Sequence, residues 1–218
     1  MPDTSRERIF AAATRLFAAH GHDGTTTRQI AAEAGLNLAT VNYHVGGKTE
    51  LYREVMRRAH EAEQAALTGA LAEFRSTAAT SPTAAVAGLL DRYLDFCIAQ
   101  PHVPSLWMRR WLADAAEVSE LEATYARPLI ESVREAVAAA LSPAEPSGRD
   151  GYPAVDLELT VWTALWMTHG FCRSGILDPD AVRRGPDDPA ATDRFRRHLH
   201  SVVLRELGLL QGESAGAR

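Results

Sequence analysis

Side chains that can pair with base edges and with phosphate oxygens are concentrated between residues 27 and 48 of the 218-residue chain. The amide of Asn42 can pair with adenine through two hydrogen bonds, and Ala39 and the methyl group of Thr40 can contact the methyl group of thymine. Side chains that suit phosphate oxygens, which fix register without reading sequence, surround these three residues. They are Thr27, Arg28, Tyr43, His44 and Lys48, the only lysine in the chain. This pattern indicates chemistry for recognising nucleic acid.

Two short helices joined by a glycine turn are predicted to position these groups. Thr26 and Gln29 form a capping-box pattern at the start of the first helix, 26–34. Gly35 is predicted to end that helix in a left-handed conformation, and Asn37 to cap a second helix, 38–44. Apolar residues are expected to pack between the two helices: Ile30, Ala31, Ala34, Leu36 and Val41. The outer face of the second helix then presents Leu38, Ala39, Thr40, Asn42, Tyr43 and His44 to a major groove, as in a helix-turn-helix.

The rest of the chain also predicts helices, because apolar residues recur with the helical period and no alternating strand pattern is found. The predicted helices are 5–19, 48–74, 83–99, 102–115, 117–141, 155–174 and 190–209. Polar and proline-rich joints separate them at 76–82, 142–153 and 175–189, the last predicted as a mobile loop. The tail 211–218 is predicted to fray. We therefore expect an all-α protein in which an N-terminal three-helix domain precedes a larger C-terminal helical domain.

Charge is unevenly distributed along the chain. The net charge is −5, yet residues 1–60 hold eight basic and six acidic side chains, whereas the remainder holds 15 and 22. A mildly basic N-terminal part, residues 1–60, followed by an acidic remainder fits a protein that contacts DNA through its N-terminal part. Charges interrupt every apolar run, and the first residues lack the order of a secretion signal, so we expect a cytoplasmic protein without membrane contact. Cys97 and Cys172 are far apart and predict neither a disulfide framework nor a metal site.

Residues 6–58 resemble the tetracycline-repressor (TetR) family of bacterial transcription regulators. The matching positions, which follow the family spacing without a gap, are Ile9, Ala12-Ala13, Leu16-Phe17, Gly21, Thr25-Thr26, Ile30-Ala31, Ala34-Gly35-Leu36, Thr40, Tyr43-His44-Val45, Lys48 and Leu51-Tyr52. The resemblance implies DNA contacts by Thr27, Arg28, Thr40, Asn42, Tyr43, His44 and Lys48. Members often have Gly or Pro at the position of Ala39 and Tyr at that of Asn42. The target sequence therefore cannot be taken from a relative.

The resemblance further implies a homodimer on an operator with two-fold character, and a small-molecule pocket in the C-terminal domain. We expect a DNA-binding domain over residues 1–50 and a ligand-binding and dimerisation domain over 51–218. Tryptophans in the second part pair at helical spacing, 107 with 111 and 162 with 166. The candidate ligand-binding residues are Tyr93, Phe96, Cys97, Trp107, Met108, Trp111, Tyr125, Trp162, Trp166 and His169. The alternative is that these side chains are ordinary core.

Helices 155–174 and 190–209 are predicted to form the dimer surface. Small residues, among them Gly170, would permit close helix approach, and an apolar stripe on the last helix would face the partner. The stripe comprises Phe195, Leu199, Val202, Val203 and Leu207. The alternative is that both helices face only their own core.

The function predicted from these features is a ligand-responsive transcriptional regulator, most simply a repressor, released from DNA by a small apolar or aromatic effector. The chain lacks a nucleophile elbow, phosphate loop, metal motif or carboxylate pair with an evident base, so no enzyme activity and no cofactor are expected. The alternative is a regulator without a small-molecule ligand, which responds to a protein partner or to redox chemistry.

Overall fold

The computed structural model describes residues 4–112, 115, 118–141 and 155–210. Within them the chain is helical apart from short connections and one small hairpin, which confirms the predicted all-α fold. The helices are α1 (Thr4–His20), α2 (Thr27–Ala34), α3 (Leu38–Val45), α4 (Lys48–Ala78), α5 (Pro82–Ala99), α6 (His102–Trp111), α7 (Arg127–Ala140), α8 (Leu157–Ser174) and α9 (Pro189–Glu206). A π-helical turn, Glu122–Ala126, precedes α7. The predicted joint 142–153 and the tail 211–218 lie outside the described residues.

Aspartate side chains set the starts of the last two helices. Asp156 accepts a hydrogen bond from the backbone N–H of Leu159 at 3.0 Å and so caps α8. Asp188 accepts from the N–H groups of Ala190 and Ala191 at 2.9 and 3.1 Å, and Pro189 occupies the first turn of α9. Proline suits that position because the N–H it lacks would have no partner within the helix.

Some helices end earlier than the periodicity predicts. α6 ends at Trp111 rather than at 115, and Ala115 has a φ of +56°, which no right-handed helix contains. α9 ends at Glu206 rather than at 209, because Gly208 has a φ of +68°. The single helix predicted over 117–141 is interrupted by the π-helical turn, where the hydrogen-bond spacing differs from that of an α-helix.

The segment predicted as a mobile loop, 175–189, contains an ordered hairpin. Its antiparallel strands are β1 (Ile176–Leu177) and β2 (Arg183–Arg184). The guanidinium of Arg184 contacts the carboxylates of Asp178, Asp180 and Asp188 at 2.7, 2.9 and 3.5 Å. The difference from the prediction arises because turn-forming residue types do not reveal how their charges pair in space.

The chain divides into two compact units. The first comprises residues up to Gln64 together with Gln100–Arg127, and the second comprises Ala65–Ala99 together with residues from Pro128 onward. The first unit contains α1, α2, α3, the first half of α4 and α6. The core of the second unit includes the stacked rings of Phe171 and Phe195, whose centroids are 4.2 Å apart.

Candidate nucleic-acid interface

The turn between α2 and α3 has the predicted capping geometry. The backbone N–H of Gln29 donates to Oγ1 of Thr26 at 3.2 Å, and Oε1 of Gln29 accepts from the backbone N–H of Thr26 at 2.8 Å. Gly35 ends α2 with a φ of +64°, and Oδ1 of Asn37 accepts from the N–H of Thr40 at 2.8 Å. These local contacts fix the length of both helices and the path of the turn between them.

The inner faces of α2 and α3 pack as the sequence predicts. Ile30 and Val41 are fully buried, and Ala31 and Ala34 are nearly so. Leu36 is half-buried in the turn. Because these inner side chains are enclosed, the opposite side of α3 is the side that can enter a groove.

Helix α1 braces the turn through arginine contacts that sequence reasoning missed. Arg8 donates hydrogen bonds to the main-chain oxygens of Ala34 and Gly35, at the end of α2. Arg15 pairs with Glu33 of α2 at 2.9 Å. The contact from Arg8 satisfies carbonyl groups that the end of a helix leaves without partners. Nothing in the local sequence indicates it, because the partners lie 26 and 27 residues apart.

The outer face of α3 places the predicted DNA-contact residues together. Tyr43 is 86% exposed and Leu38 is 37% exposed. Ala39 and Asn42 are also exposed, whereas Thr40 and His44 are half-buried. On α2, Arg28 is exposed and Thr27 is half-buried. One short helix therefore carries an amide, apolar groups and a phenol on a single accessible side.

Lys48, the first residue of α4, has a structural contact. Its Nζ atom donates to the main-chain oxygen of His22 at 2.9 Å, between α1 and α2. An ammonium has three donors, so one such contact leaves capacity for a phosphate oxygen. Lys48 therefore ties the start of α4 to the turn that precedes α2, in addition to its predicted role on DNA.

His22 is the centre of a small buried cluster beneath this contact. His22 is 2% exposed, and its ring lies 5.1 Å from that of Tyr52, centroid to centroid. Nδ1 of His22 lies 2.9 Å from Oδ1 of Asp23, and this hydrogen bond lowers the pKa of the Asp23 carboxyl. Nε2 lies 3.4 Å from the hydroxyl of Thr49, the second residue of α4. Sequence reasoning missed this cluster, because a histidine in a turn gives no sign of burial.

The predicted ligand-binding residues fall into the two units rather than into one set. Trp107, Met108, Trp111 and Tyr125 belong to the first unit, and the other six belong to the second. Trp107 is 1% exposed, donates from Nε1 to Oε2 of Glu63 at 3.0 Å, and stacks on Trp111. Tyr125 stacks on His60 with centroids 4.6 Å apart, and burial lowers the pKa of His60.

The second unit brings a histidine, a tyrosine and a phenylalanine together. Nε2 of His169 lies 2.8 Å from the hydroxyl oxygen of Tyr93, and the Tyr93 ring stacks on those of His169 and Phe96, with centroids 6.0 and 6.3 Å away. His169 is fully buried, and burial lowers its pKa to about 3. Cys97 is also fully buried, whereas Trp162 is half-buried and Trp166 is 45% exposed.

The predicted apolar stripe on α9 requires a correction. Phe195, Leu199, Val203 and Leu207 are at most 8% exposed and pack in the core of the second unit. On α8, by contrast, Leu159 is 63% exposed, and Thr163 and Trp166 are exposed on the same side of the helix. Apolar periodicity alone does not distinguish a helix face that packs in its own core from one that packs against a partner. The stripe was therefore predicted as a dimer surface although it packs in the core.

Within the described ranges, no group of three or more histidine, cysteine, aspartate or glutamate side chains could hold a metal ion. Cys97 and Cys172 are both buried. None of the helices that the structure describes is long and apolar enough to cross a membrane.

Comparison with known proteins agrees with this geometry. Residues 9–55 match the family described as bacterial regulatory proteins, tetR family. The HTH-type transcriptional repressor SCO4008 of Streptomyces coelicolor is 29% identical over 138 residues, covering 62% of this chain and 65% of that protein, slightly less than two thirds of the relative's length.

Solved structures show the same fold over nearly the whole chain. A TetR-like transcriptional regulator from Rhodococcus sp. RHA1 covers 95% of this chain and 98% of its own, with a TM-score of 0.64 and 18% identity. The ketosteroid transcriptional regulator KstR2 of Mycobacterium tuberculosis covers 98% of both chains, with a TM-score of 0.61 and 18% identity.

The fold and the exposed α3 define a helix-turn-helix regulatory protein. Residues 9–55 match the tetR family of bacterial regulatory proteins, whose members are DNA-binding regulators and not enzymes, and TetR-like regulators share the fold over nearly the whole chain. The match over residues 9–55 confirms the resemblance carried by residues 6–58.

Proposed function

We propose that the protein is a transcriptional repressor that binds a near-palindromic operator as a homodimer and is released by a small apolar or aromatic effector. The observation that carries this proposal is the accessible side of α3, held outward by the buried inner faces of α2 and α3. The relative in Streptomyces coelicolor, a repressor, supports repression rather than activation. We infer a cytoplasmic location, where such a protein meets DNA.

In this proposal the DNA-binding domain makes two kinds of contact with DNA. Leu38, Ala39, Thr40 and Asn42 enter the major groove, and five residues hold the sugar-phosphate backbone. The five are Thr27, Arg28, Tyr43, His44 and Lys48. The DNA-binding domain is taken as residues 1–50, and the ligand-binding and dimerisation domain as residues 51–218.

The homodimer would form through residues 155–174 and 190–209, with the exposed side of α8 in the interface and the apolar stripe of α9 kept in the protein's own core. The exposed side of α8 offers apolar groups at Leu159 and Trp166, with Thr163 between them. A two-fold interface brings the same patch of each protomer together, and it sets the distance between the two recognition helices. Size measurement in solution tests this step, and a monomer at micromolar concentration would contradict it.

The effector site that we propose is the group formed by Tyr93, Phe96 and His169. Small-molecule sites combine mostly apolar walls with a few placed polar groups. Here the stacked aromatic rings supply the walls, and the contact between the Tyr93 hydroxyl and His169 supplies the polar group. His169 is neutral near pH 7, because burial holds its pKa far below that value, so the site suits an uncharged effector.

Selection of genomic fragments by the purified protein tests the DNA-binding part of this proposal. We expect enrichment of one or a few fragments that share a near-palindromic sequence. Retention of fragments without any shared sequence would contradict it. The genes beside the enriched fragment would then indicate the effector's chemical class for the next experiment.

The alternative is a regulator without a small-molecule ligand. It is favoured by the complete burial of Cys97 and His169 and by the 1% exposure of Trp107, which are typical of core side chains. Titration of the protein with apolar and aromatic compounds, followed by tryptophan fluorescence and operator binding, separates the two functions. Release from the operator by a compound supports the effector, whereas an unchanged operator complex with every compound supports the alternative.

A further inference from the structure

The accessible side of α3 carries no arginine and no lysine. The helix reads Leu-Ala-Thr-Val-Asn-Tyr-His-Val from residue 38 to residue 45. Arginine or lysine, bound to the O6 and N7 acceptors of guanine, makes the commonest specific contact in the major groove. α3 has no such side chain, and the proposed function assigns Tyr43 and His44 to the sugar-phosphate backbone, so its base recognition rests on an amide and on apolar groups.

The amide belongs to Asn42, which is exposed on this side. Adenine presents an acceptor at N7 and a donor at N6, and an amide matches both at once through its NH₂ and its oxygen. Guanine presents two acceptors, so the amide oxygen would face another acceptor there. Asn42 therefore favours adenine for a reason that follows from its donor and acceptor pattern.

The apolar groups lie within the first turn of α3. Leu38 is 37% exposed and Ala39 is exposed, so both can touch a base edge. The hydroxyl of Thr40 donates to Oδ1 of Asn37 at 3.0 Å, inside the helix cap. That proton is therefore used within the protein, and the methyl group is the part of Thr40 suited to a base. Among the four bases, the C5-methyl group that such surfaces contact belongs to thymine.

The two basic side chains that are candidate DNA contacts, Arg28 and Lys48, lie outside this helix. Arg28 is on α2, and Lys48 is the first residue of α4, where its ammonium already donates to the main-chain oxygen of His22. In the proposed function both act on phosphates, which carry no base identity.

We propose that α3 selects A·T base pairs, with Asn42 on adenine and with Leu38, Ala39 and the Thr40 methyl group on thymine, and that it reads no guanine. This inference rests on the proposed function, since it concerns the operator that the repressor binds. It specifies the chemistry of that operator: each half-site contains A·T pairs at the positions that α3 contacts, whatever the base composition of the surrounding DNA.

Base analogues in the selected operator test the inference one atom at a time. Uracil in place of thymine removes the methyl group, and we expect about a three- to five-fold weaker complex for each contacted methyl. 7-Deazaadenine removes the N7 acceptor, and we expect a loss within about five- to one-hundred-fold. 7-Deazaguanine at every guanine of the half-site should leave the affinity unchanged. Uracil outside the protected region is the matched DNA control.

Protein variants assign each loss to a side chain. Asn42→Ala should weaken binding to the natural operator and remove the penalty of 7-deazaadenine, because the two changes delete the same contact. Leu38→Ala should reduce the penalty of uracil and leave that of 7-deazaadenine intact. Arg28→Ala, the control, should weaken binding to natural and analogue operators equally.

Two results would overturn the inference while leaving the proposed function standing. One is sequence-specific binding that 7-deazaguanine weakens. The other is sequence-specific binding that neither uracil nor 7-deazaadenine changes. A protein that binds all fragments equally would instead refute the proposed function, so the two failures are distinguishable.

Discussion

The Nζ atom of Lys48 donates a hydrogen bond to the main-chain oxygen of His22 at 2.9 Å. The residue that the sequence assigns to phosphate therefore also connects the start of α4 with the turn between α1 and α2. His22 is 2% exposed and Tyr52 is 1% exposed, so this connection lies above a well-packed part of the first unit. A residue with both roles affects stability and DNA affinity together, which separates it from a residue that only touches phosphate.

Lys48→Ala should show both effects. Loss of the hydrogen bond to His22 should lower the free energy of unfolding by about 1 kcal/mol. Loss of the phosphate contact should weaken binding to specific and random DNA about equally. It should also reduce the slope of log K against log salt concentration by about one for each DNA-binding domain. The control is Thr27→Ala, which should weaken DNA binding with little change in stability. Chemical denaturation and fluorescence anisotropy measure the two quantities; an unchanged unfolding curve for Lys48→Ala would show that the contact with His22 contributes nothing.

Arg109→Ala should loosen the end of α1. Arg109 donates to the main-chain oxygens of Ala18 and Ala19, in the last turn of that helix. A cation at this position satisfies carbonyl groups and interacts favourably with the helix dipole, so we expect a loss of about 1 kcal/mol. Amide hydrogen exchange near residues 17–22 should become faster.

The matched control for Arg109 is Arg53→Ala. Arg53 pairs with Glu120, and these side chains are 43% and 52% exposed. Exposed pairs contribute about 0–1 kcal/mol, so this variant should exchange like the native protein in α1. Equal exchange in the two variants would contradict the role given to Arg109.

Gly175→Ala should destabilise the hairpin strongly. Gly175 has a φ of +61°, and a Cβ atom there would lie 2.3 Å from the main-chain oxygen of Arg184. Gly208→Ala is the control, because its φ of +68° carries the same backbone penalty but no atom lies within 4 Å of the added Cβ. The control should cost about 1 kcal/mol, and Gly175→Ala clearly more. Equal melting temperatures of the two variants would show that the hairpin accommodates the added Cβ atom without loss of stability.

The stability of the second unit should fall as the pH is lowered from about 6.5 towards 3. Burial lowers the pKa of His169 from 6.5 to about 3 in the folded protein. Between those values the unfolded chain binds a proton that the folded chain does not, so acid favours unfolding. His169→Gln removes the titrating group and can still form a hydrogen bond with Tyr93. Its unfolding free energy should depend less on pH, by up to about 1.4 kcal/mol per pH unit; an unchanged slope in denaturation at pH 4 to 6 would contradict the assignment.

The parts of the site that depend on neighbouring residues were predictable from the sequence. Thr26 with Gln29, the glycine at position 35 and Asn37 with Thr40 each act within four residues, so their chemistry is visible in the chain itself. The side of α3 that faces outward follows from the same local pattern, because the helical period fixes which residues oppose Val41.

Contacts between distant residues were not predictable. The bond from Arg8 to the end of α2 joins residues at least 26 positions apart, and that from Trp107 to Glu63 joins residues 44 positions apart. The hairpin at 176–184 depends on how Arg184 meets three aspartates, which residue types alone do not reveal. The apolar stripe on α9 was visible, yet whether it faced its own core or a partner was decided by tertiary packing.

The central claim, that the exposed α3 reads a specific DNA sequence, is tested most directly by one ratio. The dissociation constants of the native protein for its selected operator and for a scrambled duplex of the same composition are measured at the same salt concentration. We predict that the operator binds at least ~1,000-fold more tightly and that Asn42→Ala removes most of this difference. Equal affinity of the native protein for both duplexes would contradict the claim.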